Sequence, residues 1–153
     1  MVQKLRERSQ GEGGFTLVEL LVVMLILGLL AAIAIPSFFN QREKAKDADA
    51  KAAARTAQTA IETYATGNQG SYDDATAVLL QGIEPTLNDA TLADPTNLAP
   101  NTYTVTVTSD GTAANQFSIT RNSDGTTDLT CTDPGTDGCP EAVGGATTGN
   151  WGD

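Results

Sequence analysis

The sequence predicts an α+β chain. One long N-terminal helix, membrane-crossing in its first half and amphipathic in its second, packs on a small three-stranded antiparallel sheet. Three observations predict it. Residues 15–35 are apolar apart from Thr16, Glu19 and Gly28, residues 37–64 are crowded with alanine, and residues 103–131 alternate apolar and polar positions between Gly-containing turns. On this reading residues 1–14 are a leader and 15–66 the helix, with 15–35 its transmembrane or assembly segment. Residues 67–153 form a head: a connecting loop (67–100), a sheet (101–131) and a cysteine-closed C-terminal loop.

Residues 1–13 are polar and carry Lys4, Arg6 and Arg8; their glycines cannot hold a helix, so they read as a targeting segment outside the fold. The 21 residues from Phe15 to Ile35 make a helix of about 31 Å, the thickness of a bilayer's hydrocarbon core. Glu19 is the exception. An ionisable side chain in such a run costs free energy and marks a function. Positive flanks do not orient the segment, because Lys4, Arg6 and Arg8 on one side balance Arg42, Lys44 and Lys46 on the other.

Gly14-Phe15-Thr16-Leu17-Val18-Glu19-Leu20-Leu21, followed by an apolar run ending Ala31-Ala32-Ile33-Ala34-Ile35-Pro36, resembles the N-terminal signature of type IV prepilins and their pseudopilin relatives. The resemblance covers about residues 11 to 45. It implies that a prepilin peptidase cuts after Gly14 and methylates the new N-terminus at Phe15. It also implies a precursor held in the cytoplasmic (inner) membrane, an assembly platform, and mature subunits that join by their N-terminal helices into a helical surface filament with the head outside.

An ordinary secretory signal cut after Ala34, in the pattern Ala32-Ile33-Ala34, is the rival processing site. Glu19, the length of the run and the Gly14-Phe15 junction stand against it.

After cleavage at Gly14 the free amine of Phe15 lies one helical turn from Glu19, and both charges need a partner in an apolar setting. The helix N-terminus itself favours an acid there. The resemblance adds an intersubunit role, in which Glu19 accepts a neighbour's amine and sets stagger. Gly28 and Pro36 weaken the helix between them. That stretch reads either as a static kink or, as the resemblance implies, as a segment that unwinds on packing.

From Ser37 to Tyr64 the pattern stays helical, with Glu43–Lys46 and Asp47–Lys51 as opposite-charge neighbours. Small residues at 45, 48 and 52, then 57, 60, 61 and 64, are expected to form the packing stripe. The helix ends near residues 65–67, where Gly67-Asn68-Gln69-Gly70 supplies stop signals. Residues 71–100 contain Pro85, Pro95 and Pro100 and are expected to be loop, with a short helix around Asp74 to Leu80. Residues 103–108, 116–120 and 126–131 supply three meander strands with apolar faces Tyr103, Val105, Val107; Phe117, Ile119; and Leu129. The tail from Thr132 reads as irregular except where cysteines tie it down.

Cys131 and Cys139 form an even pair in a short Thr-rich domain behind a membrane-crossing segment and read as a disulfide; reduced thiols are the alternative if the domain stays in the cytoplasm. Such a ring stabilises by about 2–3 kcal/mol.

Composition excludes several functions. The chain has no His and a net charge of −10, and beyond residue 60 Arg121 is the only base against 13 acids. An acidic head repels phosphate and does not bind nucleic acid directly. Without His, and with no Lys beside a Ser in the head, no nucleophile or general base is in view, so neither an enzyme nor a cofactor is expected. Gly144 to Gly149 has phosphate-loop glycine spacing but Asn150 and Trp151 where Lys and Ser/Thr are required. Asp133, Asp137 and Glu141 are weak calcium candidates, lacking the order of a calcium loop. The expected role is a filament subunit of major-pilin type. Alternatives are a pseudopilin of a type II secretion or DNA-uptake machine, and a secreted or membrane-anchored binding domain.

Overall fold

The computed structural model describes residues 14–152; the expected leader, apart from Gly14, lies outside the described residues. Two compact units make up the chain, one ending at Phe39 and the other beginning at Asn40. Helix α1, Leu17–Gly67, contributes to both and is continuous through Pro36. In the first unit every described residue is exposed.

The second unit holds all the core. On its side of α1 the buried residues are Asp47, Ala50, Ala54, Ala57, Ala60, Ile61 and Ala65, a repeat of three and four that makes one face. This corrects the expected stripe: Ala45, Ala48 and Ala52 are exposed and Tyr64 is half-buried. Alanine surrounds this helix, so its positions alone do not say which face is covered. α1 ends where Gln69 and Gly70 turn left-handed, at φ 57° and 85°, and Gly70 N–H returns to the Ala65 carbonyl at 2.8 Å.

Helix α2 is Ala77–Ile83, capped by the Thr76 hydroxyl, which accepts from Leu79 N–H. It starts later than the expected Asp74 because Asp74 itself has φ 63°, outside the helical region. A 3-10 turn, Pro85–Asp89, follows. Leu80 and Leu87 from these elements are fully buried in the core.

The sheet has six strands rather than three: β1 Thr91–Leu92, β2 Thr96–Ala99, β3 Thr102–Thr108, β4 Gln116–Arg121, β5 Thr127–Cys131 and β6 Gly149–Asn150. The expected meander is its centre, with Val105 opposite Ile119, Val107 opposite Phe117, and Ile119 opposite Leu129. The added strands are edges. β1 and β2 both pair with β3, and β6 pairs with β5. Edge pairing of two to four residues uses backbone groups alone, so it leaves no alternation to read, and two of these strands fall in the expected loop 67–100. The tail, expected to be irregular, supplies the last of them. On the inner face Tyr103, Val105, Val107, Phe117, Ile119 and Cys131 are buried. The outer face is a hydroxyl ladder, Thr104 with Thr120 at 3.0 Å and Thr106 with Ser118 at 2.8 Å.

Polar side chains on α1 fasten it to the loops beyond the sheet. Asp47, 1% exposed, accepts from Asn115 Nδ2 and from Gly138 N–H, each at 2.9 Å. Lys51 donates to the Gly138 carbonyl at 2.6 Å. One helical turn earlier Glu43 accepts from Thr112 N–H and pairs with Lys46. Asp47 and Lys51, expected as opposite-charge neighbours, thus hold both sides of one residue. Gly138 is required there, because a Cβ would lie 2.6 Å from that of Asp47.

Asp47→Ala removes the acceptor shared by Asn115 Nδ2 and the Gly138 N–H. It is expected to destabilise the second unit by about 2–3 kcal/mol, read as a lowered thermal midpoint of the full chain in detergent. Ala48→Ser on the exposed side serves as the control and should leave the midpoint unchanged.

Candidate functional site

Residues 14–16 are non-helical and precede α1. Gly14 has no neighbour near its missing Cβ and Phe15 is 82% exposed, so the peptide bond between them is open to a protease. Glu19 sits in the first turn of the helix. Its Oε2 accepts from Thr16 N–H at 2.8 Å and from the Thr16 hydroxyl at 2.9 Å, while that hydroxyl accepts from Glu19 N–H at 3.2 Å. This is a capping box with Thr16 as the cap, satisfying two backbone donors that the helix leaves open. The sequence reading missed Thr16, although Thr-x-x-Glu ahead of an apolar run is the signal for it.

From Leu17 to Phe39 the side chains are exposed all round, with Leu17, Met24, Leu25 and Ile33 the most open leucine, methionine and isoleucine side chains of the stretch. This part of α1 is unburied and is long and apolar enough to cross a membrane by length and composition. A Cβ at Gly28 would meet nothing, so packing within the chain does not explain this glycine. Gly28 and Pro36 touch no other candidate residue.

Cys131 and Cys139 are joined, with Cα atoms 5.8 Å apart. The calcium candidates do not gather: among the described residues no three His, Cys, Asp or Glu side chains are placed to hold a metal ion. The Asp133 carbonyl instead closes a turn, accepting from Thr136 N–H and hydroxyl.

A second ionisable cluster, unforeseen from sequence, centres on Glu62. It accepts from the hydroxyls of Tyr72 and Tyr103 at 2.8 and 2.9 Å and from Arg121 at 2.8 Å. Burial, then the adjoining carboxylate, pushes both tyrosines above their ordinary range. Glu62 holds the Arg121 guanidinium yet more firmly charged. Both tyrosines are held in the neutral form and Arg121 in the charged form, the reverse of activation for proton transfer.

The prokaryotic N-terminal methylation motif matches residues 10–35. The type IV major fimbrial protein FimA of Dichelobacter nodosus is 32% identical over 108 residues, 67% of each chain. The chain belongs to the type IV pilin family. The type II secretion system core protein G of Vibrio cholerae is 32% identical over 102 residues, 67% of this pilin and 60% of that protein. The type IV major pilin protein PilA of Myxococcus xanthus is 43% identical over 51 residues, 33% of this pilin and 23% of that protein. The pilin spans less than half the length of several such relatives. No solved structure matches it. The relatives carry names of pilus, fimbrial and secretion-system components, not of enzymes.

Thr16→Ala removes the cap. It should weaken the first turn of α1 by about 1 kcal/mol, seen as faster amide exchange at Leu17 to Leu20 with the rates in β3 and β4 unchanged.

Proposed function

We propose that the chain is the structural subunit of a type IV pilus-like filament, held in the cytoplasmic membrane as a precursor and exported to the cell surface. Prepilin peptidase cuts after Gly14 and Phe15 is methylated; an assembly platform then extracts the subunit, which polymerises through α1. One observation carries the reading. The stretch bearing the methylation motif is an apolar helix with no cover from its own chain, and lipid and then neighbouring helices supply that cover.

Within the filament Glu19 accepts the Phe15 amine of an adjacent subunit, a pairing that low dielectric strengthens and that leaves neither charge alone. The stretch from Gly28 to Pro36 yields on packing, because glycine has little helix propensity and proline withholds an N–H. The chain is not an enzyme. It lacks His, and the Glu62 cluster opposes proton transfer. Its acidic head does not bind nucleic acid directly.

A pseudopilin role is the second reading, favoured by the similarity to protein G over nearly as much of the chain as to FimA. Abundant long filaments sheared from the host select the pilus; scarce, short ones select the secretion machine.

Two measurements test the main reading. The protein from sheared filaments of its own host is expected to begin at N-methylated Phe15; a start at Ile35 or Met1 overturns it. Glu19→Ala is expected to insert in the membrane and still be cleaved, while filament yield falls at least about tenfold, as the loss of one buried charge pairing predicts.

A further inference from the structure

A cleft of about 320 Å³ opens in the second unit between α1, the 3-10 turn and the end of β3. Its floor is apolar, formed by Ala50, Ala53 and Val107. Its rim carries Asp49 from α1, Asp89 from the turn and Asp110 from the loop after β3. All three acids are exposed, and none has a hydrogen-bond or ion-pair partner among the described residues. Lys46 also borders the cleft, but Glu43 holds its ammonium at 3.0 Å. The opening is therefore negative over an apolar floor. That combination fits a lysine or arginine side chain, whose stem is apolar and whose head is cationic.

Most cations of the described residues are already committed. Lys46 pairs with Glu43 and Arg121 with Glu62, Lys51 donates to the Gly138 carbonyl, and Arg55 lies over the Trp151 ring. Arg42 and Lys44 remain, exposed and without a partner among the described residues. Arg42 precedes Lys46 by one turn and shares its side of α1. Lys44 is two residues from Lys46, about 200° round the helix, and so stands on the side turned away from the cleft. Ala45, Ala48 and Ala52 share that side and are exposed. Their short side chains leave Lys44 as the projecting group and let another chain come close.

We propose that the cleft receives Lys44 of a second copy of this pilin, a contact that rests on the filament reading. Cleft and lysine occupy different sides of one helix, so each copy gives Lys44 to one neighbour and takes it from another. Such a head-to-tail contact does not close on a pair. It repeats from copy to copy, which is the condition for an open helical polymer. Ala50, Ala53 and Val107 pack the lysine stem, and the three carboxylates share its ammonium. Because the contact lies in the second unit, it adds a directional, charge-set register to the packing of the apolar segments.

Filaments sheared from the host are treated with a carbodiimide, which joins an amine to a carboxylate in direct contact, and the products are separated on a denaturing gel. A ladder of dimer, trimer and larger species is expected, with Lys44 joined to Asp49, Asp89 or Asp110 in peptides from the dimer band. Lys44→Glu is expected to lower filament yield several-fold while insertion and cleavage stay unchanged. Adding Asp89→Lys is expected to restore the yield, since the reversed charges attract again. Lys44 joined only to other acids, Lys44→Glu filaments at full yield, or a double variant no better than the single one overturns the proposal and leaves the filament reading in place. A host protein that forms no filaments, or whose mature chain does not begin at N-methylated Phe15, overturns both.

Discussion

An apolar helix that its own chain does not cover is the constraint on which the rest depends. The side chains from Leu17 to Phe39 lie open on every side, and at about 25 cal/mol per Å² of apolar surface they cannot stay in water. On the proposed reading, lipid covers such a helix while it stands alone, and other copies of it cover the same surface when lipid is left behind. Precursor and filament would then be two answers to one energetic demand, met by a single segment.

The second unit solves the opposite problem, closing a small core on the same helix after its apolar character has gone. Alanines at 50, 54, 57, 60 and 65 are buried. They leave room for Tyr103, Phe117 and Ile119 to approach the helix backbone, so the large side chains come from the sheet and the small ones from the helix. Such a face packs closely but holds few directional contacts. Direction comes from polar anchors: Asp47 and Lys51 on the two sides of Gly138, and Glu62 under two tyrosines and Arg121. Arg121, the only base of the head, is used to neutralise that carboxylate at the sheet edge.

Much of this was legible in the sequence because it rests on periodicity. The apolar run, the alternation from Tyr103 to Thr108 and the meander that follows are repeating patterns, and the prepilin resemblance rests on a contiguous motif. The rest depends on single contacts between distant residues. Asp47 reads from sequence only as the opposite-charge neighbour of Lys51, because nothing local announces Asn115 or Gly138 as its partners. Trp151 lay in a Gly/Thr/Asp tail with no pattern, yet docking on β5 buries it. Ala45, Ala48 and Ala52 misled for a different reason, since alanine favours the helix on both its exposed and buried faces. Only Thr16 was missed against a readable signal.

That residue bears on how Glu19 can serve both the cap and the proposed pairing. Both bonds from Thr16 fall on Oε2, so among the described residues the cap occupies one carboxylate oxygen and leaves Oε1 for a further donor. A carboxylate has lone pairs enough for both, and in an apolar setting the second acceptor gains from the order the first imposes. The cap would also survive the proposed processing, because its carboxylate-directed donors belong to Thr16, and cleavage after Gly14 would leave Thr16 as the second residue with its N–H intact. In the proposed filament a neighbour's amine therefore meets a carboxylate already fixed in direction, with little side-chain freedom left to lose on pairing. Capping and pairing are then successive uses of one group, the first preparing the geometry of the second.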